Sequence, residues 1–440
     1  MIIKPRISSF REVLLLAWPV ILSNLSVPLL GAVDTAVIGH LPNPAFLGAV
    51  AIGAMIFSFL YWGFGFLRMG TTGFISQASG AGDVDEVRSV VARALILGCI
   101  AATAILLFHS PIILIATQLI ETTDTVKAGA TEYFNYRIWG APAALANYCL
   151  LGIFIGLGNT RAALITQVFM NAMNIILDLV FVLGLDMDVA GVALATAISE
   201  YLAVAVGGFL VWRELTKLGG KWCKDEILSL SKMRQLLSVN RDIFIRTVVL
   251  IFAFAYFTAS AAKQGEETLA AVAVAMNFMH FMSFGLDGFA HAAESMVGKA
   301  IGARQADRLN EVVSASTVLA VAVSVLYAAI YWLFGESIVN TLTSIEPVRE
   351  IAYSYLPWLT VMPLFAVWSF QFDGIFVGAM RAKEMRNGML ISFGIYFICI
   401  QFLQEKWGAD GLWISMIIFM IARGVTLAAV YPRVKKLVLT

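Results

Sequence analysis

Four polar residues recur along one apolar stretch, ALITQVFMNAMNIILDLVFVLG: Gln167, Asn171, Asn174 and Asp178 follow one another at i, i+4, i+7 and i+11. On a helix this spacing makes a single stripe, with isoleucine and valine on the other faces. A lone amide in an apolar helix is usually interhelical glue, but four polar groups ending in an acid are expected to line a cavity. A second acid, Asp34, lies in another apolar run, SNLSVPLLGAVDTAVIGHLPNP, six residues after Pro28. A carboxylate in hydrocarbon is unfavourable unless paired, hydrated or protonated. Helical rise puts Asp178 about 25 Å from Arg161, Asp34 about 35 Å from Arg11, and Thr196 about 12 Å inside Asp188. Asp34, Asp178 and Thr196 therefore reach similar depth and can share one pocket with Asn174. Two carboxylates in such a site repel, so one is expected to hold a proton near neutrality. Alternatively, the oxygens of Asp34, Asn174, Asp178 and Thr196 would suit sodium, a hard cation.

The composition says what must position these groups. Of 440 residues, 60% are hydrophobic and 13% charged, about half the charge of a soluble domain. Apolar runs of roughly 20 residues, enough to carry a helix across a bilayer, recur along the chain. Twelve spans are expected, near 12–38, 46–69, 90–115, 130–155, 162–185, 189–212, 240–262, 268–296, 312–334, 352–379, 388–404 and 410–431. The expected fold class is an all-α polytopic membrane protein. The first run lacks a cleavage pattern and is expected to remain as a helix. Lys4, Arg6 and Arg11, the cluster from Arg213 to Arg246, and Lys435 and Lys436 fall on one side of such a chain; Lys127, Lys263, Arg349 and Lys406 are the sparse cations opposite. By the positive-inside rule both ends are cytoplasmic.

The chain also repeats. A shift of 220 residues lays Phe64 on Phe284, Gly65 on Gly285, Gly82 on Gly302, Gly158 on Gly378 and Arg161 on Arg381, and a shift of 222 lays Leu47, Val50 and Ala51 on Leu269, Val272 and Ala273. Six spans per half give both copies the same orientation, as in transporters built from parallel repeats. Residues 1–212 are expected to form one six-helix lobe, 213–238 a basic cytoplasmic linker, and 239–440 a second lobe. The chemistry does not repeat: at the shift of 220, Asp34, Asn174 and Asp178 fall on Phe254, Gly394 and Ile398. Pro19 and Pro28 each remove a backbone hydrogen bond from the first helix, giving it points at which to bend.

In the second half, Asp287, Asp373 and Arg423 read as an internally paired structural set, with a second ion site as the alternative. Glu200 and Arg137 are expected to pair in the first half, and Glu294 to snorkel to the interface. Met276, Phe278 and Met279, in AMNFMHFMSF, would make an adaptable wall for apolar ligands or organic cations, or a lipid-facing surface. His280 in that stretch is expected in the core. The four cysteines show no metal or disulfide spacing. With no HExxH, GxSxG or Walker A sequence, neither an enzyme nor direct ATP drive is expected, nor any cofactor or nucleic-acid partner.

The segments VPLLGAVDTAVIGHL, FLRMGTTGFISQASGAGD and FVGAMRAKEMRN, with the spacing Asn174–Asp178–Thr196, resemble the multidrug and toxic compound extrusion (MATE) transporters, specifically their DinF-like branch. The likeness covers essentially the whole chain. It implies twelve helices in two pseudo-symmetric six-helix lobes forming an inverted V, a multi-pass protein of the bacterial inner membrane, acting as a monomer among membrane lipids, and export of cationic or amphipathic drugs in exchange for protons or sodium. Asp34 matches the family's first-helix coupling acid, Asn174, Asp178 and Thr196 its hydrogen-bonded partners, and Pro19 the proline at which the first helix bends. Sodium-coupled NorM-type relatives carry a carboxylate set in the second lobe with which Asp287 and Asp373 do not align, so the proton is preferred as coupling ion. A flippase for lipids or lipid-linked precursors is the alternative function; such proteins usually have fourteen spans and a cationic cavity.

Overall fold

The computed structural model describes residues 6–39, 44–120 and 122–439, with the side chains of residues 29, 30, 32, 34–39 and 44 outside that description. Among the described residues every regular element is helical. Hydrocarbon enforces this, because a helix satisfies its own backbone hydrogen bonds. The first half holds α1 (Ile7–Gly39), α2 (Pro44–Trp62), α3 (Phe66–Gly80), α4 (Val84–Leu107), α5 (His109–Leu119), α6 (Asp124–Arg137), α7 (Ala141–Leu157), α8 (Thr160–Asp178) and α9 (Asp188–Leu218). After the short α10 (Lys224–Ile227) come α11 (Leu230–Ala262), α12 (Glu266–Gly302), α13 (Ala306–Leu342), α14 (Glu346–Gly378), α15 (Ala382–Val430) and α16 (Pro432–Lys436).

Among the described residues, eleven helical stretches are long and apolar enough to cross a membrane. The twelfth expected span emerges inside α15, where Gly408 at φ 56° and ψ −126° breaks the helix in two. A single kinked glycine thus replaces the loop expected between 404 and 410. The expected third span, 90–115, is instead divided at Phe108 between α4 and α5. Pro111 supplies the reason, since it has no N–H to bond the Leu107 carbonyl and its ring crowds that turn. At its other end α4 starts early because the Asp83 carboxylate accepts from the Glu86 N–H at 2.9 Å.

The chain divides into two compact units. One comprises residues 22–79 and 83–236, the other the residues up to Ile21, 80–82 and from Leu237 onward. In the first, Phe57 stacks on Phe134 at 5.1 Å within a core shared by α2, α4, α6 and α7. The linker here is anchored rather than loose: Arg88 of α4 donates to the carbonyls of Leu215 and Gly219, both at 2.6 Å, and Lys232 reaches Glu86 at 2.7 Å. In the second unit, Phe257 and Tyr355 both pack on Trp413, at 5.1 and 5.6 Å.

Glycines let helices cross closely in both units, and these crossings reveal the register of the repeat. A Cβ on Gly152 of α7 would lie 2.5 Å from the Arg68 carbonyl oxygen, and one on Gly374 of α14 would lie 2.3 Å from that of Ala290. The sequences are GIFIG and GIFVG, and both the glycines (374 − 152) and their contacts (290 − 68) are 222 residues apart. The left-handed positions Gly82 and Arg304, Gly158 and Met380, and Asp186 and Gly408 keep the same spacing of 222 (304 − 82, 380 − 158, 408 − 186). So do the helix starts at Val84 and Ala306 and at Thr160 and Ala382. The pairings made at a shift of 220 are therefore two residues out of register. They matched residue types, whereas the backbone puts an arginine or a methionine where the first repeat has a turn glycine. In the corrected register Asp34, Asn174 and Asp178 correspond to Tyr256, Tyr396 and Ile400, so the chemical asymmetry stands.

Replacing Gly374 by Leu should drive a side chain into the α12 backbone, destabilising the chain by about 1–3 kcal/mol or more. Gly394→Ala, where no neighbour lies within 4 Å, should leave stability unchanged or raise it slightly. Thermal unfolding in detergent compares the two.

Candidate functional site

α8 is built as the periodicity requires. Asn159 caps its start, accepting from the Ala162 N–H at 3.1 Å. Asn171, Asn174 and Asp178 are 6%, 1% and 0% exposed, while Ile165, Val168 and Ile176 point outward. The polar stripe thus faces the bundle and the aliphatic faces are left for lipid. Immediately after Asp178 the backbone changes to a π-helical turn over Leu179–Gly184. Such turns loosen the hydrogen-bond ladder and recur at functional sites. Periodicity alone gave no sign of it.

The stripe is hydrogen-bonded along its length. Gln167 Nε2 donates to Asn171 Oδ1 at 2.9 Å, and Asn171 Nδ2 donates to Ser26 Oγ of α1 at 2.8 Å. Asn174 Nδ2 approaches Thr196 Oγ1 of α9 at 3.3 Å, while the Thr196 hydroxyl donates to the Val192 carbonyl at 2.9 Å. Asn174 Oδ1 is buried and faces no donor among the described residues. Asn174, Asp178 and Thr196 are therefore carried by the adjoining helices α8 and α9. The backbone of Asp34 belongs to α1, and its side chain lies outside the described residues. Ser26 was missed by sequence reading. The available signal was the polar interruption SNLS in an apolar helix, a turn before Pro28.

Beside the Gln167 end of the stripe lies a cavity of about 180 Å³, bordered by Tyr61, Asn147, Tyr148, Thr166, Gln167 and Glu200. Glu200 is not a free acid there. Arg137 donates to both its oxygens, one at 2.9 Å, and lies over the Phe57 and Tyr61 rings at 5.2 and 5.6 Å. Gly140 makes room: a Cβ there would meet Arg137 Nη1 at 2.5 Å. This is the expected pair, with its negative charge neutralised at the cavity wall.

In the second unit Asp373 accepts from two arginines, Arg423 of α15 at 2.7 Å and Arg246 of α11. Of the set expected from Asp287, Asp373 and Arg423, Asp373 and Arg423 pair as expected, and Arg246, read from the sequence as one of the basic cluster from Arg213 to Arg246, joins them. Asp287 is half-buried on α12. Phe278 packs edge-on against Tyr331 at 4.9 Å and, like Met279, is interior, whereas Met276 is half-buried. Two expectations fail. His280 is exposed rather than in the core, on the face of α12 that its apolar neighbours leave free. Glu294 is 3% exposed and is buried inside its unit rather than extended outward, at a place where Gly378 brings α14 against the Glu294 backbone.

Apolar helices that enclose a one-sided polar stripe beside a cavity are the arrangement of a membrane transporter. The MatE family profile matches residues 19–180 and again 243–403, and the chain belongs to this family of multidrug and toxic compound extrusion transporters, on its DinF-like branch. The chain is 39% identical over 430 residues to DNA damage-inducible protein F of Escherichia coli, covering 97% of this chain and 93% of that protein. It is 24% identical to a probable multidrug resistance protein NorM of Bacillus cereus, over 93% of this chain and 91% of the relative. Among solved structures, a variant of the Vibrio cholerae MATE transporter VcmN superposes with a TM-score of 0.88 at 19% identity, covering 98% and 99% of the two chains. A MATE transporter in the bent conformation also gives 0.88, at 20% identity, covering 98% and 96%. At such identities these structures carry the fold alone.

Arg137→Met should destabilise the chain by about 3–5 kcal/mol by leaving the Glu200 charge buried without its partner. The double change Arg137→Met with Glu200→Leu should recover much of that loss. Unfolding midpoints of the two variants check it, and a double variant as unstable as the single one would show that the pair does not act as a unit.

Proposed function

We propose that the chain exports cationic or amphipathic drugs in exchange for protons, with sodium as the alternative ion, and that Asp34 couples the exchange together with Asn174, Asp178 and Thr196. It would act as a monomer in a bacterial inner membrane, both termini cytoplasmic, with the first six-helix lobe carrying the ion. The observation that carries this reading is the α8 stripe, which buries Asp178 beside Asn174 and ends on a π turn. Asn174 Oδ1, which meets no donor among the described residues, suits a protonated carboxyl, which needs an acceptor for its hydrogen; sodium would use the same oxygen. Proton exchange at this depth changes which hydrogen bonds the stripe makes. Gln167 and Asn171 would face the drug, and Met276, Phe278 and Met279 would form an adaptable wall in the second half.

Pro19 is assigned as the hinge, with Pro28 the lesser candidate. Its support is that α1 is held differently on either side of it. Before Pro19, Ser9 donates to Glu311 at 2.8 Å. Beyond it, Ser26 is tied to Asn171. The boundary between the two compact units falls at Ile21, two residues after Pro19.

The test is ethidium export by the reconstituted chain under a proton gradient alone and then a sodium gradient alone. Export is expected in sodium-free buffer and should stop when the pH gradient is collapsed. Asp34→Asn should reduce it to background at matched insertion, and Pro19→Ala should lower it several-fold. Transport that requires sodium and persists without a pH gradient would overturn the proton reading. Wild-type activity in Asp34→Asn would remove Asp34 from the coupling.

A further inference from the structure

We propose that the second unit carries a binding site for a phosphate-bearing anion, in the groove where the start of α11, the turn from α14 to α15 and the end of the chain at α16 meet. The groove has a volume of about 500 Å³ and is bordered by five cations, Arg241, Arg381, Lys383, Arg386 and Arg433, against two carboxylates, Asp242 and Glu384. The carboxylates are already engaged. Asp242 is buried and lies 2.7 Å from Arg386 and 3.1 Å from Arg241, while Glu384 lies 3.5 Å from Arg381. Arg386 is fixed further by donating to Asn387 Oδ1 at 2.8 and 3.1 Å. Lys383 and Arg433 have no carboxylate partner among the described residues.

Basic residues at a membrane interface are ordinary, so the repeat supplies the needed comparison. In the register of 222, Arg381, Lys383, Arg386 and Arg433 correspond to Asn159, Arg161, Leu164 and Val211. These equivalent positions of the repeat carry one cation in the first half and four in the second. The difference is sharpest at the helix starts. Asn159 caps α8 with its own side chain, whereas Arg381 leaves α15 without a side-chain cap and brings a cation to the positive end of the helix, where an anion is favoured. Guanidinium forks held by Asp242 and Asn387 are pre-set for a phosphate, and the flexible lysine supplies a point charge. A lipid headgroup and a soluble phosphate share this chemistry. A groove at the interfacial end of the helices is reached by both.

The full-length chain in phosphatidylcholine nanodiscs tests the proposal, with phosphatidylglycerol added in one arm and inorganic phosphate titrated in the other. The unfolding midpoint of the wild type should rise with at least one probe. In the double variant Lys383→Gln, Arg433→Gln the concentration needed should increase about tenfold, while its midpoint in phosphatidylcholine alone matches the wild type. The variant Lys435→Gln, Lys436→Gln removes equal charge outside the groove walls and should keep the wild-type response. A response to phosphatidylglycerol only assigns a lipid headgroup, and one to inorganic phosphate assigns a soluble anion. No response by the wild type to either probe, or equal weakening in the two double variants, would overturn the site.

Discussion

A charge inside hydrocarbon has to be answered by another charge or by a dipole held in place, and both units are organised around that requirement. In the first, the guanidinium of Arg137 grips both oxygens of Glu200, linking α6 to α9, with Gly140 clearing the space between them. In the second, Asp373 of α14 draws in Arg246 of α11 and Arg423 of α15. Such pairs add little net stability, since desolvation offsets most of their attraction, yet losing one partner is severe. Their value lies in specifying neighbours. A helix carrying half of a pair has one place in the bundle where its charge is matched.

The glycine crossings do the complementary work without charge. Between apolar helices in lipid no hydrophobic force selects a partner, so close backbone approach does. GIFIG on α7 and GIFVG on α14 use the same device at equivalent places. The two halves keep this backbone scaffold through their turns and crossings while their polar side chains differ. Asn174 and Asp178 correspond to a tyrosine and an isoleucine in the other half. The paired charges of the second unit are not repeated either, because Asp373 corresponds to Leu151 and Arg423 to Tyr201. The two units therefore share a frame and differ in chemistry.

How the first half uses its chemistry follows from depth and neighbours. Burying Asp178 beside an amide whose oxygen meets no donor among the described residues gives an environment whose hydrogen bonds depend on whether a proton or an ion is present. The π turn directly after Asp178 supplies a backbone that can shift at modest energy. The cavity by Gln167 and Glu200 adjoins this stripe rather than the surface charges, and its acid is neutralised by Arg137. Its walls combine aliphatic and aromatic side chains with the amides of Asn147 and Gln167.

The sequence by itself determined the helical class, the approximate place of most spans and the face of α8 turned inward. These depend on local periodicity and on the absence of any alternative backbone structure in hydrocarbon. It also showed which half carries Asp34 and Asp178, since residue type needs no geometry. Pairing was another matter. Arg246 read as the last of a basic cluster on one side of the chain, Ser26 as an unremarked polar residue and Glu294 as an interfacial acid, because their surroundings are set by helices far away in the chain. The repeat was visible but two residues out of register at its glycines, since a turn glycine and a crossing glycine are the same letter. Only the packed structure tells them apart, through a positive φ at one and a neighbouring backbone within contact at the other.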